Sequence, residues 1–327
     1  MKTVSVGRTG RFERFCIVGL GNHALTKLVP ALVANGQEVV GVVTRQPGGI
    51  SPPASAFSDI DTALADLPAD TVFVVATPPS LHFDQAMRVI EAGRDAIIEK
   101  PAFLSGRDAS EAIAASTRRG TILVEGFMHR YAALYRRFLG EWAAGGEEIE
   151  AINAVFMVPG MPAGTFRQKS DIASSGLYDI GCYPVSLLTD LGLPLDELTA
   201  MRVDFPGEVD REAVRLSGWL NGVRVDIRTG IDAAYANRVS LTLRGGEEIR
   251  FSPFFYGRAG DRTISRGSAA AGTAEVVHDA DAFQAMFAVT RSTWLSNQAE
   301  RNRLMVESAR SLERLGEELA GVRSSAG

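Results

Sequence analysis

A glycine loop near the N-terminus is the first candidate for a ligand-binding site. It lies between an apolar run and a stretch of helical periodicity, and its sequence is Gly19-Leu20-Gly21-Asn22-His23-Ala24. In such a unit the first glycine permits a tight turn, the second lets the backbone approach a pyrophosphate, and a small residue at the third position lets helix and strand pack closely. The partial positive charge of a helix N-terminus attracts phosphate. We predict that residues 19–23 hold a dinucleotide; a plain strand-turn-helix corner is the alternative.

The end of the next apolar strand indicates which dinucleotide binds. Sites for NAD commonly carry Asp or Glu there, which binds the ribose hydroxyls. This chain has Thr44-Arg45 instead. A carboxylate would repel a 2′-phosphate, whereas Arg45 can pair with it and Thr44 can donate a hydrogen bond. The pattern favours NADP(H) over NAD(H), although Arg45 could also be a solvated loop charge.

Two further strand ends carry candidate site residues. Glu99-Lys100-Pro101 follows an apolar strand, so Lys100 is predicted to project beside cofactor and substrate oxygens, with Glu99 next to it. Thr77 and Pro78 begin a stiff turn after another strand and are predicted to lie near the nicotinamide. His82 follows in the same segment as a further cofactor candidate. Lys100 could instead be a surface lysine, and His82 a polar residue without a ligand.

The elements that must position these residues alternate between strand and helix in the first part of the chain. Near-continuous apolar runs are typical of a parallel sheet that is buried on both faces. A strand-helix succession predicts right-handed crossovers, with ligands bound outside the carboxyl ends of the strands. The Pro-, Gly- and Ser-rich stretch 46–58 is predicted to be a loop. The predicted strands are Phe15–Val18, Glu38–Val43, Thr71–Ala76, Ala96–Ile98 and Thr121–Val124, and the predicted helices are Asn22–Ala34, Asp61–Leu67, Ser80–Ala92 and Ser105–Arg119.

The rhythm changes after about residue 127, which predicts a dinucleotide-binding domain over 1–127 and a second domain over 128–327. Asn221-Gly222 and Gly245-Gly246 are hairpin signals, so the second sheet is predicted to be large and mostly antiparallel. One helix is expected over 176–191, and Pro184 requires it to kink or to begin afresh near Cys182. The tail 282–319 is predicted to be helical and could pack back on the first domain. The predicted later strands are Glu148–Val158, Glu197–Phe205, Ala213–Leu220, Val223–Ile231, Arg238–Arg244 and Glu247–Phe251.

Composition narrows the class of protein. The 327 residues are 46% apolar and 22% charged, with a net charge of -5, which fits a globular protein with a small-molecule partner and argues against nucleic-acid binding. The two cysteines form no metal-ligand pattern, so we expect no metal and a reducing, cytoplasmic location. The sequence contains no run of about 18 uncharged apolar residues, so we predict no membrane span.

Together these motifs resemble the glucose-fructose oxidoreductase and inositol dehydrogenase family (Gfo/Idh/MocA). The resemblance covers about residues 15–191 and implies an N-terminal Rossmann domain and a C-terminal α/β domain with an open sheet that often pairs subunits. It rests on GLGNHA at 19–24, TPPSLH at 77–82, EKP at 99–101, EGFMHRY at 125–131 and GLYDIGCYPVSLL at 176–188.

The resemblance also implies the catalytic group. It places Lys100 at the nicotinamide and the substrate, with Asp179 and Tyr183 facing it from the second domain, and Arg167 near the substrate. Asp179 and Tyr183 are four positions apart, so they would share one face of a regular helix. Tyr183 could instead be a partly buried aromatic residue, and Arg167 a surface arginine. The proton donor to the substrate oxygen could be either Tyr183 or Lys100, with Asp179 orienting the substrate or the lysine.

These residues predict an NAD(P)-dependent oxidoreductase that transfers hydride between nicotinamide and a carbohydrate-like hydroxyl or carbonyl. A reductase of another C=O, C=C or C=N substrate, of the dihydrodiol, biliverdin or imine type, stays open. A regulator that binds the cofactor without catalysis also stays open. The presence of Lys100 and Tyr183 together argues against it, since a sensor would need neither. A homodimer or homotetramer through the C-terminal sheet is implied by the resemblance.

Overall fold

The computed structural model describes residues 10, 12–45, 54–160, 175–203, 213–268 and 271–324. The chain divides into two compact units, and neither is one continuous segment. Unit one contains residues 1–102, 110–126 and 283–305, and unit two contains residues 103–109, 127–282 and 306–327.

The strands within the described residues form two sheets. In chain order they are β1 Arg14–Val18, β2 Glu38–Val43, β3 Ser55–Phe57, β4 Val72–Val75, β5 Ala96–Ile98, β6 Leu123–Glu125, β7 Ile149–Val158, β8 Thr199–Arg202, β9 Val214–Leu220, β10 Val223–Ile231, β11 Ala236–Leu243, β12 Glu248–Ser252, β13 Gly260–Ser268 and β14 Ala271–Asp279.

The helices of the described residues include one long C-terminal helix and several short ones, and none is long and apolar enough to cross a membrane. In chain order they are α1 Val29–Ala34, α2 Ile60–Asp66, α3 His82–Glu91, α4 Gly106–Arg119, α5 Ala133–Gly145, α6 Cys182–Asp190, α7 Ala282–Phe287, α8 Arg291–Ser296 and α9 Gln298–Ser324. Short π-helical segments occupy Ala24–Leu28 and Gly176–Gly181, and 3₁₀ turns occupy Pro79–Leu81, Met128–Tyr131, Gly146–Glu148 and Leu195–Glu197.

The sheet of the first unit is parallel, with the strand order β3-β2-β1-β4-β5-β6. Every residue of β4, β5 and β6 is buried, as expected for a sheet covered on both faces. This confirms the predicted parallel Rossmann architecture. The predicted loop over 46–58 is wrong at its end, because Ser55–Phe57 pairs with β2 as a short edge strand. Residues 46–53 of that stretch lie outside the described residues.

Part of the C-terminal tail belongs to the first unit, which differs from a first domain that ends near residue 127. The Phe287 ring packs edge-on against Phe15 of β1, with 5.7 Å between centroids, and Trp294 packs against Phe12. The Gln37 side chain donates a hydrogen bond to the carbonyl of Phe287. Buried aromatic contacts and a hydrogen bond from the Gln37 side chain therefore fix residues 283–305 to the Rossmann sheet.

The sheet of the second unit has the order β14-β13-β12-β11-β7-β10-β9-β8. Its pairs are antiparallel except β7 with β10, which confirms the predicted mostly antiparallel sheet. Asn221 and Gly222 have φ angles of 51° and 79°, as the predicted tight hairpin requires. The strands β13 and β14 were not predicted, because most of their described side chains are polar or exposed. Subunit pairing through this sheet stays a prediction.

Two prolines shape the helices that carry candidate residues. Pro30 lies in the first turn of α1, and Pro184 lies in the first turn of α6. Proline has no N–H to donate, so it is tolerated where a helix begins and not in its interior. Each α-helix accordingly starts afresh after a wider π-helical turn, at Val29 and at Cys182. The predicted restart near Cys182 is confirmed.

Helix α5 was not predicted from the sequence, and a distant carboxylate fixes its beginning. Asp279 Oδ1 accepts hydrogen bonds from the N–H groups of Ala133 and Leu134, at 2.6 and 3.2 Å. Its other oxygen lies 3.4 Å from the Arg262 guanidinium, and both side chains are almost wholly buried. One buried ion pair thus joins the edge strands to the start of α5.

We predict that Asp279→Ala lowers the free energy of unfolding by about 3–5 kcal/mol, because it leaves Arg262 buried without its carboxylate partner. Asp279→Asn should cost less, since an amide oxygen can still accept the two helix N–H bonds. Urea unfolding followed by circular dichroism measures both changes. His278→Ala removes the neighbouring exposed ion pair with Asp261 and should leave the transition unchanged. Equal stability of all three variants would contradict this role of Asp279.

Candidate functional site

Four parallel strands of the first unit end at the same edge of the sheet, and each is followed by a predicted site residue. Gly19 follows β1, Thr44 follows β2, Thr77 lies just beyond β4, and Lys100 lies just beyond β5. Residues in this position lie at the edge where ligands bind to open parallel sheets. The fold thus brings the predicted cofactor loop and the predicted catalytic lysine to one edge of one sheet.

Gly19 is held between two of these strands. Its φ angle is +95°, a conformation that residues with a side chain rarely adopt. A Cβ atom at Gly19 would lie 2.8 Å from Thr77 Cγ2 and 2.9 Å from the carbonyl oxygen of Ala76. The Gly19 N–H donates to the Val43 carbonyl at 2.9 Å, which ties the turn to β2. The turn therefore requires glycine both for its φ angle and for its contact with residues 76–77.

Gly21 has the opposite surroundings, because a Cβ atom placed on it would meet nothing within 4 Å. Gly21, Asn22 and His23 are exposed, and Leu20 is half-buried. The N–H of Leu25 already donates to the Gly21 carbonyl, so the helical turn begins at the loop. Ala24 is buried, as the close packing of helix and strand requires. This open space over the backbone at the start of a helix fits the pyrophosphate of a dinucleotide.

Thr44 and Arg45 lie at the outer side of this edge. The Thr44 N–H donates to the Phe57 carbonyl at 3.0 Å, so β3 holds the backbone of residue 44 in place. The Arg45 side chain is exposed, and Thr44 is half-buried. Residues 44 and 45 place a hydroxyl and a guanidinium, with no carboxylate, where β2 ends. This donor set fits a phosphate on the adenosine ribose.

The segment after β4 is held by side chains within the first unit. Thr77 Oγ1 donates to Gln85 Oε1 at 2.6 Å, and Thr77 and Pro78 are half-buried. His82 is fully buried, with Nε2 at 2.8 Å from the Thr77 carbonyl oxygen and Nδ1 at 3.1 Å from that of Pro101. This burial argues against the cofactor contact predicted for the His82 side chain. Instead, His82 joins the loop after β4 to the loop after β5.

Burial lowers the pKa of His82, although the carbonyl groups of Thr77 and Pro101 and the negative charge of Glu99 act in the opposite direction. A neutral imidazole has one N–H, so it donates to one of these two carbonyls at a time. The uncharged ring therefore serves as a hydrogen-bonded spacer between the two loops.

Lys100 itself is half-buried, and its neighbour Glu99 is only 7% exposed. Glu99 Oε1 lies 3.1 Å from His23 Nε2, and its Oε2 accepts a hydrogen bond from the Lys100 N–H at 3.3 Å. Behind this turn, Glu125 Oε1 accepts the Ala102 N–H at 2.9 Å. Glu125 was not predicted as a site residue. It lies at the carboxyl end of β6, and a position at a strand end was the same signal that pointed to Lys100.

In the second unit, the structure places Asp179 in the π-helical segment and Tyr183 in the first turn of α6. They are 8% and 7% exposed. Ser175 caps this segment by accepting the Tyr178 N–H. Gly181 lets the segment pack against β10, since a Cβ atom there would lie 3.4 Å from Thr229 Oγ1. The predicted Arg167 lies outside the described residues.

Aromatic rings fix the orientation of Tyr183 within the second unit. Its ring centroid lies 5.3–5.7 Å from four others, which belong to Phe127, His129, Phe156 and Phe255. Its hydroxyl donates to Met128 Sδ at 3.7 Å. The sequence analysis did not single out Met128 or Phe255 as site residues. Met128 and His129 belong to the EGFMHRY motif, whereas Phe255 lies in a stretch where no motif pointed to it.

Comparison with known proteins supports this interpretation of the first unit. Residues 13–127 match the family GFO_IDH_MocA, described as an oxidoreductase family with an NAD-binding Rossmann fold. The matched segment contains every predicted cofactor residue and Lys100.

Relatives with assigned activities match more of the chain. The dTDP-3,4-didehydro-2,6-dideoxy-alpha-D-glucose 3-reductase of Streptomyces antibioticus is 28% identical over 242 residues, which cover 70% of this chain and 72% of that protein. The D-xylose 1-dehydrogenase (NADP(+)) 2 of Haloferax volcanii is 27% identical over 180 residues, which cover 53% of this chain and 55% of that protein.

Among solved structures, the fold is similar to that of KijD10, a 3-ketoreductase from Actinomadura kijaniata in complex with NADP and TDP-benzene. The TM-score is 0.80 at 21% identity, and the match covers 94% of this chain and 98% of that one. At this identity the likeness shows the fold alone. Together, the motifs and the match identify residues 13–127 as an NAD-binding Rossmann segment of the Gfo/Idh/MocA oxidoreductase family.

Proposed function

We propose that this chain is an NADP(H)-dependent oxidoreductase that transfers hydride between nicotinamide and a hydroxyl or carbonyl carbon of a carbohydrate-like small molecule. The observation that carries the proposal is the meeting of the glycine loop and Lys100 at one edge of a parallel sheet. The assigned activities of the relatives, a keto-sugar reductase and a sugar dehydrogenase, support a carbohydrate substrate.

The residues described above would hold the cofactor in three groups. Residues 19–23 would bind the pyrophosphate, because the space over Gly21 is open. Thr44 and Arg45 would bind the 2′-phosphate, which is the reason to prefer NADP(H) to NAD(H). Thr77, Pro78, Glu99 and Lys100 would border the nicotinamide half.

When bound, the nicotinamide supplies or accepts the hydride. The chain's own residues must then move a proton to or from the substrate oxygen. We assign Lys100 Nζ to donate a hydrogen bond to that oxygen and to stabilise negative charge on it. We assign Tyr183 Oη to exchange the proton, and Asp179 to orient the substrate. A thioether is a weak acceptor, so the Tyr183 hydroxyl can exchange its bond to Met128 Sδ for one to a substrate oxygen at little cost.

The first test follows NADPH absorbance at 340 nm against dTDP-linked keto-sugars, free keto-sugars, dihydrodiols and imines. Turnover of a keto-sugar is expected in the wild-type protein. In Lys100→Ala, kcat should fall by about 10²–10³-fold, because one donor that stabilises negative charge on the substrate oxygen contributes about that much. NADPH binding, measured by fluorescence titration, should weaken far less.

Lys27→Ala is the matched control for this test, because it removes another lysine of the first unit without removing the predicted acid-base group. Unchanged turnover in Lys100→Ala would contradict the catalytic assignment. NADPH binding without turnover on any compound of the panel would favour a cofactor-binding regulator.

Tyr183→Phe should separate the two proton-transfer candidates. If Tyr183 Oη exchanges the proton, kcat should fall by about 10²–10⁴-fold while KM changes little. Tyr178→Phe is the matched control, since Tyr178 lies in the π-helical segment that precedes α6 and packs against Gly316. Full activity of Tyr183→Phe would leave Lys100 as the proton donor and overturn this assignment.

Arg45→Ala should weaken NADPH binding by about tenfold, because one charge-assisted hydrogen bond to the 2′-phosphate is lost. NADH binding should stay unchanged, since NADH has no 2′-phosphate. Fluorescence titration with both nucleotides measures the ratio of the NADPH and NADH dissociation constants. Arg88→Ala, which replaces an exposed arginine of α3, serves as the control. An equal loss for both nucleotides would show that Arg45 does not select NADP(H).

A further inference from the structure

His23 occupies a position in the glycine loop for which phosphate binding sets no requirement. The loop needs glycine at 19 and 21 and a small residue at 24, whereas residue 23 is free to vary. In this chain the His23 ring meets the Phe283 ring edge-on, with 5.6 Å between centroids. Its Nε2 lies 3.1 Å from Glu99 Oε1, across 76 positions of sequence. A direct contact thus connects the cofactor loop to the strand end that carries Lys100.

Glu99 has little freedom to move away from this contact. Its backbone N–H donates to the Val75 carbonyl at 2.9 Å, which fixes the residue to β4. On the other side, a Cβ atom added to Gly126 would lie 3.2 Å from the Ile98 carbonyl oxygen and 3.5 Å from Glu99 Oε1. The carboxylate is thus enclosed by His23, the Lys100 N–H and the backbone at Gly126.

A buried carboxylate is costly unless positive charge or hydrogen bonds compensate it. Burial raises the pKa of Glu99, but the charges of His23 and Lys100 and their hydrogen bonds outweigh it, so the pKa is lowered overall. His82 also senses the Glu99 charge. Two basic side chains, one on the glycine loop and one just after β5, therefore act on one carboxylate.

We propose that His23 is a positioning residue for Lys100, acting through Glu99. The His23 imidazole holds the carboxylate through the 3.1 Å contact from Nε2 to Oε1, so that Glu99 depends less on the charge of Lys100. Without His23, Glu99 would draw on Lys100 more strongly, and the loop at residues 19–23 would lose its tie to β5. This inference rests on the proposed function for the role of Lys100, but the contact itself can be tested without cofactor.

Two variants separate the charge of His23 from its hydrogen bond. His23→Gln keeps a neutral N–H donor near the position of Nε2, whereas His23→Ala removes the donor. His278→Gln is the matched control, because His278 forms the same kind of pair, 2.9 Å from Asp261 Oδ1, at an exposed position in the second unit.

The cofactor-free readout is the rate at which Lys100 reacts with acetic anhydride at pH 8, followed by mass spectrometry. In His23→Ala the rate should fall by about threefold to tenfold, because Glu99 then stabilises the ammonium form of Lys100. The Lys100 rate in His23→Gln should lie between those of His23→Ala and the wild-type protein, and the rate in His278→Gln should match that of the wild-type protein. A Lys100 rate that is the same in His23→Ala and wild type would overturn the proposal.

The functional readouts are NADPH affinity and the separate values of kcat and KM. His23→Ala should weaken NADPH binding and lower kcat, and His23→Gln should restore part of both. His23→Gln activity equal to that of the wild-type protein would contradict the role of the His23 charge, and activity as low as that of His23→Ala would contradict the role of its hydrogen bond. Absence of NADPH binding in the wild-type protein would instead refute the proposed function and leave the labelling result to decide on His23.

Discussion

The close contact between the turn at Gly19 and the backbone of residues 76–77 is the constraint on which the rest of the site depends. A Cβ atom at residue 19 would lie within 3 Å of Thr77 and Ala76, so the first turn can approach β4 only because residue 19 is glycine. From this contact, side chains extend along the same edge. The two ring nitrogens of His82 lie within hydrogen-bonding distance of the Thr77 and Pro101 carbonyl oxygens. His23 Nε2 lies 3.1 Å from Glu99 Oε1. The ends of β1, β4 and β5 are thereby cross-linked.

This arrangement explains how a short loop and a single lysine can work together. The backbone at Gly21 is left open for a ligand, while the neighbouring residues 19 and 24 are packed against the sheet. Glu99 is buried beside Lys100 and is compensated by basic groups from other elements. In the second unit, four aromatic rings hold Tyr183 in a fixed orientation. Both proposed proton-transfer residues are thus supported by contacts within their own units, as precise positioning of acid-base groups requires.

The sequence predicted the first unit well because its central strands are continuous apolar runs and its turns carry glycine. The hairpin at Asn221-Gly222 was predicted correctly because its turn also carries glycine. Strand β3 was missed because it has three residues, two of them exposed, and β14 because it is a largely exposed edge strand. The burial of His82 and the pairing of His23 with Glu99 depend on contacts across 19 and 76 positions. Local patterns carry no information about such contacts, so the sequence indicated the residue types and not their partners.

The crystal structure of the protein with bound NADP(H) tests the central claim most directly, because it locates the ligand relative to all four strand ends at once. We expect the pyrophosphate over Gly21, the 2′-phosphate within hydrogen-bonding distance of Thr44 and Arg45, and the nicotinamide beside Lys100. Density for the dinucleotide away from the loop at residues 19–23, or a nicotinamide ring remote from Lys100, would contradict it.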